Sequence, residues 1–235
     1  MVDGNYTGDI TVIGRDIQVL ANGGHAQIGH GGFYARGDFR GNIFINYDPL
    51  ANGGLGAVAG GSGALSIRAQ GGGDHYAQVG HGGVVSVGNI RDGNIKVGDA
   101  ASITLQAGWL RSATAQLGHG GVYSGTSTIT GYIDITTQGN VSVLGGSGTA
   151  SNGLAYSQIG HGGTSSGGSR TGDITIHSVS GTQFEVKGGT NTVAGTQGSY
   201  AQIGHGGDMY SGSAEGAITI TASQASMELS GGREL

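Results

Sequence analysis

The 235-residue chain has no cysteine, one proline (Pro49), one tryptophan, and charge on only 11% of its residues. Without cysteine, disulfide staples and thiolate chemistry are excluded. The lysines and arginines number ten and never cluster, and the net charge is −5, so no nucleic-acid-binding surface is expected. No apolar run approaches the roughly 20 residues of a membrane helix, so membrane insertion is not expected. The stretch MVDGNYTGDI lacks a basic region followed by an apolar core, and no signal peptide is expected in it. No segment carries apolar spacing of 3.6 over three turns, which argues against helix.

Glycine is what the chain has in excess: 54 of 235 residues, about three times the usual share of roughly 7%. Collagen is excluded, because glycine does not recur at every third position. Disorder is disfavoured, because short alternating apolar runs are able to bury a face.

Three elements repeat in fixed order. The first is a glycine-led strand: GDITV (Gly8–Val12), GNIFI (Gly41–Ile45), GNIKV (Gly93–Val97), GYIDI (Gly131–Ile135), GDITI (Gly172–Ile176) and GAITI (Gly216–Ile220). The second is an alternating run, such as LSIRAQGG from Leu65, VSVLGG from Val141 and FEVKGG from Phe184. The third is AQIGHGG at Ala26–Gly32, with close variants at Ala77–Gly83, Ala115–Gly121, Ser157–Gly163 and Ala201–Gly207. Its histidines fall at 30, 81, 119, 161 and 205, in steps of 51, 38, 42 and 44. Length variation collects at Asp48–Gly63, Ser147–Leu154 and Thr190–Ser199, which read as loops on particular edges.

A period near 40 with strands of about five residues predicts an all-β fold, a right-handed parallel β-helix (β-solenoid) rather than a propeller. The chain reads as a single solenoid, 1–235, of about five and a half units: 7–40, 41–91, 92–130, 131–170, 171–215 and an incomplete 216–235. One side of a coil needs a strand plus a corner, about seven residues. Six sides therefore fill a repeat, and two narrow coils per repeat are expected over one wide coil. No cap is recognisable at either end, which suggests a segment of a longer array or end-to-end self-association.

The GDITI and V-x-V-x-GG cadence, cysteine-free and rich in Gly, Ser, Thr and Asn, resembles the filamentous-haemagglutinin-like exoproteins of Gram-negative bacteria. The resemblance covers essentially the whole chain. It implies a β-helical adhesin shaft that is secreted or displayed on the bacterial surface, and it transfers no functional residue.

His30, His81, His119, His161 and His205 are candidate metal ligands, since imidazole is a common one. Two coils per repeat would hold them about 9.6 Å apart, too far for one ion, whereas one coil per repeat would stack them at about 4.8 Å. Either way the motif brings no Cys, Asp or Glu to complete a coordination shell. Alternation turns Ala26, Ile28 and His30 inward, where the imidazole meets unpaired corner groups. The opposite, outward face then carries Tyr76 with Gln78, Tyr156 with Gln158 and Tyr200 with Gln202. These are candidates for a sugar- or receptor-binding edge or for structural side-chain ladders.

Catalysis is not expected, and no cofactor is called for. Asp9, Asp134 and Asp173 recur with the glycine-led strand, and Asp48, Asp74, Asp92 and Asp99 gather no base or metal around them. The GGSGTASNG stretch at Gly145–Gly153 lacks the aspartate of a calcium nonapeptide. Position four of the glycine-led strand (Thr11, Phe44, Lys96, Asp134, Thr175, Thr219) is too mixed for an ice-binding threonine array. The sequence thus predicts a rod- or filament-forming structural segment. The alternative is a carbohydrate- or receptor-binding module, with a polysaccharide-cleaving enzyme behind both.

Overall fold

In a computed structural model the described residues of the chain fold as strands paired in parallel, joined by turns. Residues 4–50, 63–71, 73, 75–109, 112–147, 155–191 and 199–234 are described. The insertions at Asp48–Gly63, Ser147–Leu154 and Thr190–Ser199 lie largely outside that set, as does Asp74.

Sheet I is built by the glycine-led strands Ile10–Val12, Ile43–Ile45, Ile95–Ala100, Ile133–Thr137, Ile174–Ser178 and Ile218–Thr221, paired in chain order. Sheet II takes the alternating runs Ile17–Asn22, Ala64–Gln70, Ser102–Gln106, Val141–Leu144, Gln183–Lys187 and Ser226–Ser230. Sheet III takes His25–Ile28, Tyr76–Val79, Thr114–Leu117, Ser157–Ile159 and Ala201–Ile203. Every pairing is parallel and joins equivalent positions, as in Ile43↔Ile95↔Ile133↔Ile174. The apolar residues on the inward positions of sheets I, II and III form one core, from Ile17 and Ile43 through Leu105 and Ile159 to Phe184. Stacked isoleucines and valines suit this surface because their stiff side chains pack well across neighbouring strands.

A fourth sheet, not foreseen as a separate layer, holds Tyr6–Thr7, Phe39–Arg40, Ile90–Asp92, Thr128–Thr130, Ser166–Thr171 and Ser211–Glu215. Each of these six strands passes directly into a sheet I strand through the lead glycine, and a seventh, Gly125–Thr126, pairs with Ser166–Thr171. Between sheets III and IV the chain turns at the G-H-G-G corner, where Gly31, Gly82, Gly120, Gly162 and Gly206 bridge one another in parallel. This segment folds back over the outer face of sheet III. There Val84 and Val122 join Tyr76 and Tyr156 in a second buried cluster.

The expectation of two coils per repeat is corrected by this arrangement. Strands of successive repeats are direct neighbours, so each repeat makes one wide coil. The residues assigned to a second narrow coil build sheet IV and the cover over sheet III.

Glycine density follows from stacking backbones at strand spacing. The lead glycine Gly131 has φ 137°, and a Cβ there would collide with the Gly93 carbonyl of the preceding coil. Gly23 (φ 80°) has nothing within 4 Å of such a Cβ. Chemical denaturation is expected to separate the two demands. Gly23→Ala should cost only the left-handed backbone penalty of about 1–2 kcal/mol, whereas Gly131→Ala should cost clearly more because two backbones must part. Equal losses would show that inter-coil contact does not require the glycine.

Candidate functional site

The five motif histidines form one continuous column. Ring centroids of neighbours lie 4.9, 4.6, 4.9 and 4.9 Å apart from His30 through His205, with planes inclined by 12°, 6°, 1° and 8°. His81, His119 and His161 are fully buried. The spacing follows from one coil per repeat and parallel pairing in register.

Both nitrogens of the inner rings are engaged. The backbone N–H of His30 donates to His81 Nδ1 at 2.9 Å, and that of His81 to His119 Nδ1 at 2.8 Å. His119 N–H reaches His161 Nδ1 at 3.1 Å, and His161 N–H reaches His205 Nδ1 at 3.0 Å. An Nδ1 that accepts carries no proton, so the neutral ring holds its proton on Nε2. Each Nε2 then donates to the carbonyl of its own coil's lead glycine: Gly8, Gly41, Gly93, Gly131 and Gly172, at 2.7–2.8 Å. The column thereby ties the G-H-G-G corner to the corner where sheet IV enters sheet I. With both nitrogens of His81, His119, His161 and His205 committed to the backbone, none offers a lone pair to a metal. Among the described residues no group of three or more His, Cys, Asp or Glu is placed to hold one.

The glutamines complete the corner. Gln78 Nε2 donates to Gly118 and Gly120 carbonyls at 2.8 and 3.1 Å, and Gln158 Nε2 to Gly204 and Gly206 at 2.8 and 3.0 Å. Gln27 and Gln116 repeat this geometry on their own next coils. One amide thus serves the two glycine carbonyls that flank the next histidine. The expected outward orientation is corrected here. Gln78 and Gln158 are 1% and 0% exposed, and Tyr76 and Tyr156 are 3% and 0% exposed. Alternation does place them opposite Ile and His, but the folded-back segment covers that face. Tyr200 and Gln202, in the last of these coils, are partly buried, and the Tyr200 ring stacks on Tyr156 at 4.9 Å.

The acidic residues act on the scaffold one at a time. Asp9 Oδ1 accepts the Asn42 N–H and Asp173 Oδ1 the Ala217 N–H, each across one coil. Asp134 pairs with Lys96 at 2.9 Å, while Asp92 accepts from Thr130 and Asp99 from Gln138. Asp48 caps the backbone at Leu50. Asn42 and Asn94 continue the Asp9 role, each accepting an N–H from the following coil. An Asx residue after the lead glycine is the sequence signal for this row.

Two further features lay outside the sequence expectations. Arg91 and Arg170, on sheet IV, are fully buried. A surface groove of about 400 Å³ runs across sheet II's outer edge past Arg68, Gln106, Trp109 and Lys187.

No family model, no curated protein and no solved structure matches the chain.

Burial sets the electrostatics of the column. It pushes His81 down to about 4, with the charges of His30 and Arg91 adding to the effect. Burial, then the neighbouring His205, holds His161 at about 3. Burial, followed by His81 and His161 on either side, keeps His119 well below the usual imidazole range. Protonation also removes the Nδ1 acceptor that each inter-coil bond needs.

Two outcomes follow. The folded state binds fewer protons than the unfolded chain between the unfolded histidine value near 6.5 and the folded values of about 3–4. The column's contribution should therefore be complete above about pH 6.5 and fall as pH drops to about 3–4. The slope should approach about 1.4 kcal/mol per pH unit for each buried histidine. Urea midpoints across pH 3–8 measure it, and a flat profile would contradict the assignment. In addition, His119→Leu strands the buried His81 N–H and Gly93 carbonyl. It should cost about 2–6 kcal/mol, against less than about 0.5 kcal/mol for His177→Leu on the exposed face of sheet I.

Proposed function

We propose that the chain is a structural, rod- or filament-forming segment: a right-handed β-solenoid of about five and a half coils that keeps a fixed spacing between whatever lies at its two ends. One observation carries the reading. The same backbone, histidine and glutamine hydrogen bonds recur from coil to coil, so the repeated chemistry is spent on holding coil to coil. The resemblance to filamentous-haemagglutinin-like exoproteins supports an adhesin shaft or fibre subunit, secreted or on the bacterial surface, with end-to-end self-association as one use. The acidic residues' separate scaffold roles agree with a non-enzymatic protein.

A second reading, a carbohydrate- or receptor-binding module, draws on the groove beside Trp109. Trp109 is 48% exposed, with Arg68 and Lys187 alongside. The buried tyrosines and glutamines give that reading no support.

Two measurements test the pair. Tandem copies viewed by electron microscopy are expected to lengthen by an equal increment per copy, and lengths that do not scale would count against the rod. On a glycan array, binding is expected to be weak and unchanged by Tyr76→Ala or Tyr200→Ala. Strong binding lost in Trp109→Ala would favour the module, and strong binding lost in either tyrosine variant would sink the purely structural reading.

A further inference from the structure

Sheet IV carries an aligned row that reads Phe39, Arg91, Ile129, Arg170, Ala214 along the axis. Arg91 and Arg170 are thus two strand spacings apart at the backbone, about 9.6 Å, with Ile129 between them. Both side chains are 0% exposed. Arginine stays charged under all ordinary conditions, and isolated buried charge is strongly unfavourable unless paired. Among the described residues no carboxylate lies within ion-pair distance of either guanidinium. Asp38 acts on Arg91 only at longer range, while it caps the Asn89 and Ile90 N–H groups.

Both arginines reach the same short segment of the middle coil. Arg91 Nη2 donates to the Ser86 carbonyl at 2.8 Å, to Ser86 Oγ at 2.9 Å and more distantly to the Ser124 carbonyl at 3.5 Å. Arg170 Nη1 donates to the carbonyls of Ser127 and Ser169. Arg91 stands 5.9 Å over the Phe39 ring, and Arg170 stands 5.2 Å over the Tyr210 ring. These contacts use one nitrogen of each guanidinium. Nε and Nη1 of Arg91, Nε and Nη2 of Arg170, and the hydroxyls of Ser124 and Ser127 are all buried without a hydrogen-bond partner. Gly82 packs against Arg91, and a Cβ there would lie 2.8 Å from its Nε. Six orphan polar atoms, two of them hydroxyls and four on cations, therefore lie on two buried arginines and on the serine segment that both arginines contact.

We propose that Arg91 and Arg170, with Ser124 and Ser127, bind a small inorganic anion inside the solenoid, either a halide or a tetrahedral oxyanion such as sulfate or phosphate. The anion neutralises the buried charge and gives hydrogen-bond acceptors to guanidinium N–H groups that have none. It also joins three consecutive coils at a point the histidine column does not reach. The site is independent of whether the rod is a shaft or a binding module.

The test is the folding equilibrium of the whole chain at matched ionic strength, with sodium gluconate replaced stepwise by chloride, bromide, sulfate or phosphate. A rise of the denaturation midpoint that follows the logarithm of the concentration of one class of ion is expected. Above its dissociation constant, each tenfold increase of that ion should multiply the folded-to-unfolded ratio about tenfold. The four ions separate a halide site from an oxyanion site. General salt effects of sulfate grow in proportion to its concentration, so a logarithmic dependence that is lost with the arginine is the decisive feature. Arg170→Met should abolish the dependence. Should that variant fail to fold, anomalous diffraction from a bromide-soaked or selenate-soaked crystal of the unaltered chain provides the second readout, with a peak between the two guanidiniums expected. Identical midpoints in gluconate, chloride, sulfate and phosphate, or a map with only water between Arg91 and Arg170, would overturn the proposal.

Discussion

A backbone N–H from one coil given to the Nδ1 of a histidine in the next is the contact on which the corner geometry depends. It sets three things together. It requires the repeat distance of one coil, since an N–H reaches an imidazole at 2.8–3.1 Å only when the coils are adjacent. It fixes the tautomer, and with it the direction in which Nε2 donates. It then fixes the position of the lead glycine carbonyl that receives that proton, at 2.7–2.8 Å. The residues of G-H-G-G follow from this. The imidazole serves its own corner and the corner before it, and the flanking glycine carbonyls are turned toward the glutamine of the preceding coil.

Such a corner asks for a dry environment, and the fold supplies it with a second layer. Sheet III has the apolar core on one face and the folded-back segment with Val84 and Val122 on the other. A buried imidazole with both nitrogens hydrogen-bonded is stable there, and the same burial makes an unmade bond costly. The left-handed residues Tyr34, Val85, Tyr123, Ser165 and Met209, at φ 51–57°, each stand four positions after a motif histidine. Each coil repeats that backbone turn with whatever residue stands there, even the β-branched Val85. The fold demands the turn more strongly than the side chain resists it.

The class of fold and the strands of sheets I, II and III were legible in the alternation of Ile17, Val19 and Ala21 and in the glycine-led isoleucines. The inward histidine was legible too, from its parity with Ile28. Two things were not. Counting seven residues per side made 40 residues look like two turns, because nothing in the pattern marks TIT (Thr128–Thr130) or IRD (Ile90–Asp92) as a separate outer sheet. The same blind spot put Gln78 and Tyr156 in solvent. Period-two alternation distinguishes the faces of a strand but does not say that a later segment will cover the far one. Arg91 and Arg170 were overlooked because a charged residue in a short polar strand reads as surface.

The histidine column has a direction. Every N–H points toward the next coil and every Nδ1 toward the preceding one, as the parallel strands also demand. A unit that extends such a column must arrive in the same orientation, because head-to-head contact would set donor against donor. Any assembly that continued the column along this axis would be heterologous, a polar fibre with chemically different tips, in place of the closed two-fold dimer commonest among soluble oligomers.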